Sequence, residues 1–503
     1  MADALWSCNL FRGGMSAACT VLLLLSGCFP STAPTEAEPL PFTGMQIELL
    51  VPDGLGLKAA MHATLEEWSA QSGAACRVSE FAVSTDAATD IRAVQATDGQ
   101  LIVFPLTHVA DYAAAGLLQT IPQSQLSTNI LNWADLFAGL RHSVAMQGEN
   151  PTVLPLSCPT LVCYYRRDLL EAADLAPPET WKDYEQLLET QQDWTGGLPV
   201  VEPWATECVP TMFLAHTAAF AKHPDNYSLL FDVSTGEPLV NRPGFVNGLK
   251  SMQRVARHLG TECLQTSLAE GRQLILSGKA AMTFAYETSR ASRSLPSRPE
   301  RNRSESAATD APLERGPSVA LGFCRLPGTR QVFDVSDESW KTLNGDRVNH
   351  VAVVGWEGLG IAIRAGCSER EQLALCQLLR RLTIEQVQLA LPDGARSLCR
   401  HSQMRSAVGW VGKSLEPQER AEFVRVTADS LKSAAVVADC CWVGRHRFRA
   451  SLAAAIHRAI RDQAPSQAVL DQLAIEWESE VQQIGRRKFL DSYRAGLGLR
   501  PSI

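Results

Sequence analysis

The stretch MQIELLVPDG at residues 45–54 indicates the fold class, because it alternates apolar and polar residues and then breaks at a Pro-Asp-Gly turn. Apolar residues at helical spacing follow over 57–72, and Gly73 is a typical helix-ending residue. Further strands are indicated at 78–83 and at 101–104, the second of which is continuously apolar. Alternating strands and helices of this kind predict an α/β fold with a mostly parallel sheet.

Two polar residues follow predicted strands in this first part of the chain. Asp53 comes directly after the first strand, and Thr107 comes shortly after the strand at 101–104. Ligands of open α/β sheets bind beyond the carboxyl ends of the strands. Both residues are therefore candidate ligand contacts. A second interpretation stays open for Asp53, since aspartate also stabilises tight turns.

The pattern becomes largely helical beyond residue 160. Thr180 is a predicted N-cap with Asp183 in the capping-box position. Residues 288–318 are rich in Arg, Ser, Pro and Glu and almost lack large apolar side chains, which is typical of a solvated insertion. Apolar patterning returns at 319–323 and at 351–363. Helices are predicted at 168–173, 180–190, 211–222, 244–259 and 268–276, and in the tail, where Leu452, Ile456 and Ile460 share one helix face.

The overall composition excludes several classes of protein. The 503 residues are 46% hydrophobic and 20% charged, which is typical of a globular chain and not of a disordered one. The length is sufficient for several domains or lobes and a sizeable core. Asp and Glu number 54 against 46 Lys and Arg, giving a net charge of −8. This balance argues against a protein that binds nucleic acid by neutralising phosphates.

The amino terminus reads as a targeting segment. An apolar run from Met15 to Leu25 follows Arg12 and ends in the sequence LSGC at 25–28. The run is shorter than the roughly 20 apolar residues that span a bilayer, so residues 1–27 are predicted to be a cleaved signal peptide. The LSGC sequence resembles the bacterial lipobox, in which the cysteine, here Cys28, becomes the lipid-bearing first residue. The alternative is a buried helix that ends in a glycine.

Residues 28–44 contain several prolines among Ser, Thr and Glu, a composition that predicts an unstructured tether. With the lipid on Cys28, this tether would connect the folded part of the chain to a membrane surface. No other segment of the sequence has a long enough uninterrupted apolar run to span one.

The cysteines and histidines do not indicate a metal or cofactor site. Eleven of the 14 cysteines remain once Cys8, Cys19 and the lipidated Cys28 are set aside, and no Cys-x-x-Cys pair exists. Most lie in apolar surroundings, which favours small buried thiols, although an exported protein could also form disulfides. The sequence contains no His-Glu-x-x-His, nucleophile elbow, P-loop or dinucleotide-binding motif. We therefore expect no metal, no cofactor and no catalytic residues.

An ordered set of segments resembles the family 1 extracellular solute-binding proteins of ABC importers, the maltose-binding-protein-like sugar-binding type. YYRRD at 164–168 and PETW at 178–181 are similar to that family's tyrosine–basic–aspartate and Pro-x-Thr-Trp stretch. GKAAM at 278–282, LPG at 326–328 and the glycine-rich 355–361 follow in the family's order, as do the closing helices. Two features depart from the family pattern: Trp356 interrupts the usual glycine pair, and the 288–318 insertion is long.

The resemblance implies a two-lobed periplasmic-binding-protein type II fold, in which each lobe is a mostly parallel sheet flanked by helices and the ligand cleft lies between the lobes. The implied organisation assigns 45–154 to lobe 1, 155–330 to lobe 2, 331–400 to a return into lobe 1, and 401–503 to a helical part mainly in lobe 2.

The resemblance also directs attention to irregular segments as cleft-lining sites, because sugars are bound by carboxylates, amides and aromatic rings. Trp204, the pair Tyr286 and Glu287, and the pair Trp356 and Glu357 join Asp53 and Thr107 as candidates. Glu357 is the strongest of them, since a charge inside an apolar strand is costly unless it faces a cleft. The alternative for the three aromatic residues is a place in the core.

The function implied is that of an exported binding protein, lipid-anchored to the cell membrane or to the outer membrane facing the periplasm. It would capture a mono- or oligosaccharide and deliver it to the permease of an ABC importer, as a monomer and without enzymatic activity. Two other classes stay open on sequence grounds: an exported polysaccharide hydrolase, whose paired carboxylates need not be close in sequence, and a sensor of the same fold that does not transport.

Overall fold

The computed structural model describes residues 40–84, 86–287, 319–343, 347–355, 357–383, 391–392, 395–405, 410–411, 414–433, 435–438 and 442–500. The predicted signal peptide, Cys28, the tether up to residue 39, the 288–318 insertion and Trp356 lie outside these residues. Within the described residues, no helix combines the length and the apolar character that crossing a bilayer requires.

The strands are short and mostly buried. In chain order they are β1 Gln46–Pro52, β2 Ala75–Phe81, β3 Leu101–Pro105, β4 Val153–Ser157, β5 Val162–Arg166, β6 Met282–Ala285, β7 Leu321–Cys324, β8 Gln331–Asp334, β9 Ser339–Thr342, β10 Ala352–Val354, β11 Leu359–Ile363 and β12 Val436–Ala438. A two-residue pair, Met146–Gln147 with Asn150–Pro151, forms a separate small hairpin. The apolar stretch at 351–363 therefore contains two strands, β10 and β11.

The helices surround these strands. They are α1 Leu57–Ser72, α2 Ala87–Gln95, α3 Val109–Ala114, α4 Arg167–Ala172, α5 Trp181–Glu189, α6 Val209–Ala221, α7 Pro243–Ala256, α8 Leu268–Leu276, α9 Glu369–Thr383, α10 Pro417–Lys432, α11 Arg445–Arg461, α12 Ser466–Ile484 and α13 Arg486–Gly496. Shorter helical turns occupy Leu106–His108, Gln123–Leu126, Trp133–Asp135, Ala138–Leu140, Arg141–Ala145, Gln191–Trp194, Thr261–Leu264 and His401–Arg405.

Local signals explain where several helices begin and end. Gly73 takes the left-handed conformation (φ 80°) directly after α1, and its N–H donates to the carbonyl of Ser69, as the sequence predicts. The Thr180 hydroxyl accepts the N–H of Asp183, and the Asp183 carboxylate accepts the N–H of Thr180 (3.2 and 2.8 Å). The predicted capping box at the start of α5 is thereby confirmed.

The first sheet has five strands in the order β2-β1-β3-β11-β4. Strand β1 runs parallel to β2 and to β3, with Leu49 opposite Val78 and Leu101. Strand β11 is antiparallel both to β3 and to β4. The predicted parallel arrangement thus applies to the first three strands of the chain, and the sheet as a whole is mixed.

A second sheet of three strands has the order β6-β5-β7, and both of its pairings are antiparallel. The α/β two-lobed class predicted from sequence is confirmed, whereas the prediction of a mostly parallel sheet in each lobe needs correction. The reason is the path of the chain. Strand β4 leads directly into the second sheet through residues 158–161, and β11 comes back into the first sheet through 355–358. When the chain leaves a sheet from one strand and enters it again at the same edge through a neighbouring strand, the two strands run in opposite directions.

The chain path also fixes which strand ends meet. Leu359, the first residue of β11, lies opposite Pro105 at the end of β3. In the second sheet, Val162 at the start of β5 lies opposite Ala285 at the end of β6. The carboxyl ends of β1, β3, β6 and β7 therefore all lie at the edges where the chain crosses between the sheets. We call this region the junction; it comprises the described residues of 158–161 and 355–358 (Trp356 excepted) and the strand ends beside them.

Helices α6 and α7 pack closely because glycines leave room between them. A Cβ atom at Gly248 would lie 2.6 Å from the Cα of Thr217, and one at Gly244 would lie 2.7 Å from the Cα of Ala221. Contacts this short involve backbone, so an added methyl group could not be accommodated by a side-chain rotation. The spacing of these two helices depends on the absence of side chains at both positions.

We predict that Gly248→Ala destabilises the protein. Alanine in place of glycine favours a helix by about 1 kcal/mol. Overpacking costs up to about 3 kcal/mol, and the contact here is with backbone, so the net loss should be as much as about 2 kcal/mol. The midpoint of urea unfolding measures this loss. Lys250→Ala, an exposed change on the same helix, is the matched control and should shift the midpoint little. Equal stability of the two variants would contradict the packing argument.

Candidate functional site

The junction is held together by backbone hydrogen bonds between its two crossing segments. The N–H of Gly355 donates to the carbonyl of Pro159 (3.1 Å), and the N–H of Leu161 donates to the carbonyl of Val353 (3.0 Å). The hydroxyl of Ser157 accepts the N–H of Leu359 at 3.1 Å. These bonds satisfy main-chain groups that would otherwise be buried without partners. The two segments are thus fixed to each other side by side.

The two candidates from the first sheet lie at its junction edge but differ in their surroundings. Asp53 is exposed, and its N–H donates to the carbonyl of Phe81 (2.9 Å). Thr107 is half-buried in the turn Leu106–His108, which is attached to the second crossing segment because the N–H of Leu106 donates to the carbonyl of Gly358 (2.9 Å). The structure therefore brings Thr107 next to the loop that contains Glu357.

Glu357 lies between β10 and β11 and is half-buried. Its position is marked by its effect on Cys208, the residue that precedes α6. Burial raises the pKa of the Cys208 thiol to about 12, and the negative charges of Glu207 and Glu357 contribute to the same shift. Glu357 therefore lies near enough to the residue before α6 for its charge to act on Cys208. Its neighbour Trp356 is outside the described residues.

Tyr286 and Glu287 follow β6 and are both fully buried at the junction. The hydroxyl of Tyr164 donates to the carbonyl of Tyr286 (2.9 Å). The carboxylate of Glu287 accepts the N–H of Thr160, in the first crossing segment, at 3.1 Å. This side chain links the end of a second-lobe strand to the chain segment that enters that lobe.

The environment of Glu287 favours its neutral form. Burial raises its pKa from 4.5 to about 7, although the backbone N–H groups of Glu287 itself, Thr160 and Leu398 and the positive charge of Arg272 all favour the carboxylate. Desolvation outweighs these stabilising contacts because the side chain is completely removed from water. The carboxyl group is therefore partly protonated near neutral pH.

Trp204 lies inside the second lobe and is 1% exposed. Its indole N–H donates to the carboxylate of Glu202 (3.0 Å), and the same oxygen lies 2.8 Å from Nε2 of His216. The carbonyl of Trp204 is paired with Nε2 of His457 at 2.7 Å. The polar groups of Trp204 are thus used within the lobe, and its segment is held firmly just ahead of α6.

Sequence reasoning did not identify Glu202 and His216. Both are fully buried, and the ring of Trp181 stacks on His216 with centroids 3.8 Å apart. A glutamate two positions before a tryptophan, in a non-helical segment, was the available signal. The pairing with His216, 14 residues away on α6, has no local pattern that would reveal it.

A further contact, between α3 and the start of α11, was also missed. The carboxylate of Asp111, on α3, accepts the N–H of Gly444 (3.0 Å), the residue before α11. Burial raises the pKa of Asp111, while the N–H of Gly444 and the positive charges of His108, His446 and Arg445 oppose that rise. A carboxylate at a helix amino terminus is favoured by the helix dipole. This contact joins the first lobe to the C-terminal helices.

Chemically, the junction offers hydroxyl and carboxylate groups and backbone amides. Within the part of the chain that the structure describes, no group of three or more His, Cys, Asp and Glu side chains is placed to hold a metal ion. Groups of these kinds recognise the hydroxyls of a polar solute by hydrogen bonding. The half-buried Thr107 and Glu357 are the candidates best placed to do so, because Trp204, Tyr286 and Glu287 are buried away from a solute.

We predict that Glu287→Gln flattens the pH dependence of stability. Since the folded-state pKa of Glu287 lies above its ordinary value, its stabilising effect is fully present below pH 4.5 and is lost as the pH rises to about 7. The loss corresponds to about 3 kcal/mol. Melting temperatures measured from pH 4.5 to 8 should fall less steeply in the variant. Glu189→Gln, on the exposed side of α5, should follow the wild type. An unchanged slope in Glu287→Gln would refute the assignment.

The solved structures that resemble this chain share its fold at low sequence identity. MalE3 of T. maritima with bound maltose aligns with a TM-score of 0.59 at 16% identity, covering 87% of this chain and 100% of that chain. The sugar-binding protein MalE of Xanthomonas citri gives a TM-score of 0.64 at 16% identity over 88% and 100%. An ABC transporter solute-binding protein of Agrobacterium radiobacter K84 in complex with ribitol gives 0.57 at 16% identity over 88% and 100%.

Sequence comparison adds a family to this shared fold. A search of curated protein sequences finds no match to the chain. The model of the bacterial extracellular solute-binding proteins, in contrast, matches residues 63–336, which is more than half of the chain and includes strands of both sheets. The chain therefore belongs to the bacterial extracellular solute-binding protein family.

Proposed function

We propose that this protein binds a carbohydrate or polyol at the junction and delivers it to an ABC importer. The observation that carries the proposal is the convergence of four strand ends, from two separate sheets, on one region that contains Thr107 and Glu357. Family membership supports a binding role. The solved relatives that bind maltose or ribitol support a polyhydroxylated ligand for this chain.

We assign the candidate residues two roles. Thr107 and Glu357 contact the ligand, together with Trp356, whose ring would cover an apolar sugar face. Asp53 lies at the outer rim. Trp204 and the buried pair Tyr286 and Glu287 form the wall behind these groups and keep it rigid. A site built in this way places its accessible hydrogen-bonding groups on a buried scaffold that is held by internal hydrogen bonds.

The two lobes would close on the ligand by bending at the crossing segments. Residues 158–161 and 355–358 are short and bonded to each other, so a small change in their backbone angles moves one sheet relative to the other. In this proposal lobe 1 comprises about 45–154 and the return at 331–400, and lobe 2 comprises 155–330 with most of 401–503. The protein acts as a monomer that binds its ligand without turning it over.

A thermal-shift screen tests the ligand class. We expect a rise in melting temperature with maltose, longer maltooligosaccharides, ribitol or mannitol, because a ligand at 100 times its dissociation constant adds about 2.7 kcal/mol of stability. Incubated oligosaccharides should be recovered intact by chromatography. Shortened products would favour a hydrolase, and the absence of any shift across the panel would contradict carbohydrate binding.

Two variants locate the site once a ligand is found. Glu357→Gln and Thr107→Ala should each weaken binding about tenfold or more, since a lost hydrogen bond to a buried ligand hydroxyl costs about 1–3 kcal/mol. Isothermal titration calorimetry measures the change. Glu189→Gln, the exposed control on α5, should bind like the wild type. If both site variants bound with wild-type affinity, the ligand would have to bind outside the junction.

We also propose that the protein is exported and anchored by a lipid on Cys28, with residues 28–39 as the tether. Residues 40–44 of the predicted tether are excluded, because Phe42 is buried and stacks on Trp68. The LSGC sequence at 25–28 and the proline-rich composition that follows support this proposal. The anchored protein would lie on the cell membrane or on the periplasmic side of the outer membrane, close to a permease.

Metabolic labelling with a fatty acid tests the anchor. Labelled palmitate should be incorporated into the wild type and should disappear in Cys28→Ala. Cys19→Ala, a change inside the predicted signal peptide, controls for substitution of a nearby thiol and should keep the label. A Cys28→Ala protein that still carries label would disprove lipidation at this position.

A further inference from the structure

Two cysteines face each other across the second sheet. Cys163 is the second residue of β5, Cys324 is the last residue of β7, and the two are direct partners in the antiparallel register. Directly opposed residues on antiparallel strands have Cα atoms about 4.5–5.5 Å apart and point their side chains to the same face. A disulfide requires about 4.4–6.8 Å between Cα atoms. The backbone at this position therefore already meets the requirement for a cross-link.

The Cys324 thiol lies near enough to affect the ionisation of Cys163. Burial raises the pKa of Cys163 well above its ordinary value, and a hydrogen bond with the Cys324 thiol and the nearby charges of Cys324 and Glu202 contribute to the same shift. Cys324 also approaches the carbonyl of Pro178, at 3.8 Å. Cys163 is completely buried, whereas Cys324 is half-exposed. The two sulfur atoms thus differ in access to a reagent.

We propose that Cys163 and Cys324 form an intramolecular disulfide that joins β5 to β7 when the protein is exported. The proposal rests on the extracellular character of the family, which implies an oxidising compartment. It does not depend on the identity of the ligand.

The disulfide would form in two steps of thiol–disulfide exchange with a small-molecule disulfide, such as oxidised glutathione. The half-exposed Cys324 loses its proton, attacks one sulfur of the reagent and releases one thiolate, so a mixed disulfide forms. The Cys163 thiol then loses its proton, attacks the Cys324 sulfur and releases the second thiolate. The protein is oxidised by two electrons, the reagent is reduced to two thiols, and both protein protons pass to the released thiolates.

The cross-link would connect parts of the chain that lie far apart in sequence. Strand β5 follows directly on the first crossing segment, and β7 begins shortly after the 288–318 segment. Closing so long a loop restricts the unfolded chain strongly, which stabilises the folded lobe. The bond would also hold an edge strand, which is otherwise attached to the sheet on one side only.

The other buried cysteines serve as internal controls. Cys376 lies on α9 and is fully buried. The N–H of Cys158 donates to the hydroxyl of Ser397 (2.6 Å), which also lies 3.6 Å from the thiol of Cys399, so Cys158 and Cys399 are neighbours without being strand partners. If only Cys163 and Cys324 are oxidised, then strand pairing, and not proximity alone, determines which cysteines become linked.

The test uses the full-length protein isolated from the oxidising compartment and a reduced sample treated with oxidised glutathione. Free thiols are blocked with N-ethylmaleimide, and tryptic peptides are identified by mass spectrometry. A peptide linking Cys163 and Cys324, lighter by two hydrogens and lost on reduction, is expected in both samples. It should be absent in Cys163→Ser and Cys324→Ser and present in Cys376→Ser. The melting temperature should fall by several degrees on reduction of the wild type and of Cys376→Ser.

Two results would overturn the proposal. One is complete alkylation of both thiols in the isolated protein and after glutathione treatment. The other is a linked peptide joining Cys158 and Cys399 in place of the opposed pair. The wild-type measurement needs no substitution. It therefore decides whether the Cys163–Cys324 disulfide forms even if a serine variant folds poorly. If the thermal-shift screen detected no carbohydrate binding, the interpretation of the disulfide measurement would not change.

Discussion

The antiparallel pairing of β4 with β11 is the constraint on which the architecture depends. Strand β4 carries the chain out of the first sheet, and β11 brings it back, so the two strands must be neighbours that run in opposite directions. Their continuations are joined by the Gly355–Pro159 and Leu161–Val353 hydrogen bonds. Buried peptide groups need partners, and each crossing segment supplies the partners of the other. The β4–β11 pair places the strand ends of the first sheet at the junction, and the antiparallel pairing of β6 and β7 with β5 places theirs there too.

Several ionisable side chains of the folded protein are paired with one another, independently of any ligand. The His108 ring lies 2.9 Å from the carboxylate of Asp90, and Glu202 is bonded to both His216 and Trp204. Removing one partner of such a buried pair leaves an unsatisfied polar or charged group, which costs more than the pair itself contributes. The pairs therefore act mainly to specify the geometry of each lobe. The free-energy cost of removing these groups from water is part of folding, so it does not reduce the free energy of ligand binding.

Features with a local signal could be predicted from the sequence. The alternation at 45–51 predicted β1, Gly73 predicted the end of α1, and Thr180 with Asp183 predicted the capping box of α5. The topology likewise places Asp53 and Thr107 at one sheet edge, because strand order and chain direction follow from alternating strands and helices. Each of these inferences needs only a short window of sequence.

Features that depend on distant pairing could not be predicted in this way. The direction of β11 depends on β4, about two hundred residues earlier, and the Asp111–Gly444 contact joins residues 333 positions apart. The apolar stretch at 351–363 looks like one segment, although the chain changes sheet in the middle of it. Burial of Glu287 has the same origin, since its partner Thr160 is 127 residues away. Patterns within one element carry no information about such partners.

The division between buried and half-buried polar groups also bears on how the protein can achieve affinity. A group that is completely buried inside the protein is out of reach of a ligand at its surface, so its contribution to binding is indirect. Glu287 and Glu202 are in this position, and they contribute by holding the crossing segment and the Trp204 segment still. At the proposed site, affinity would then come from few accessible groups, such as the half-buried Thr107 and Glu357, on a surface that loses little freedom on binding. Rigid support of this kind lowers the entropic cost of association, which links the buried pairs of each lobe to recognition at the junction.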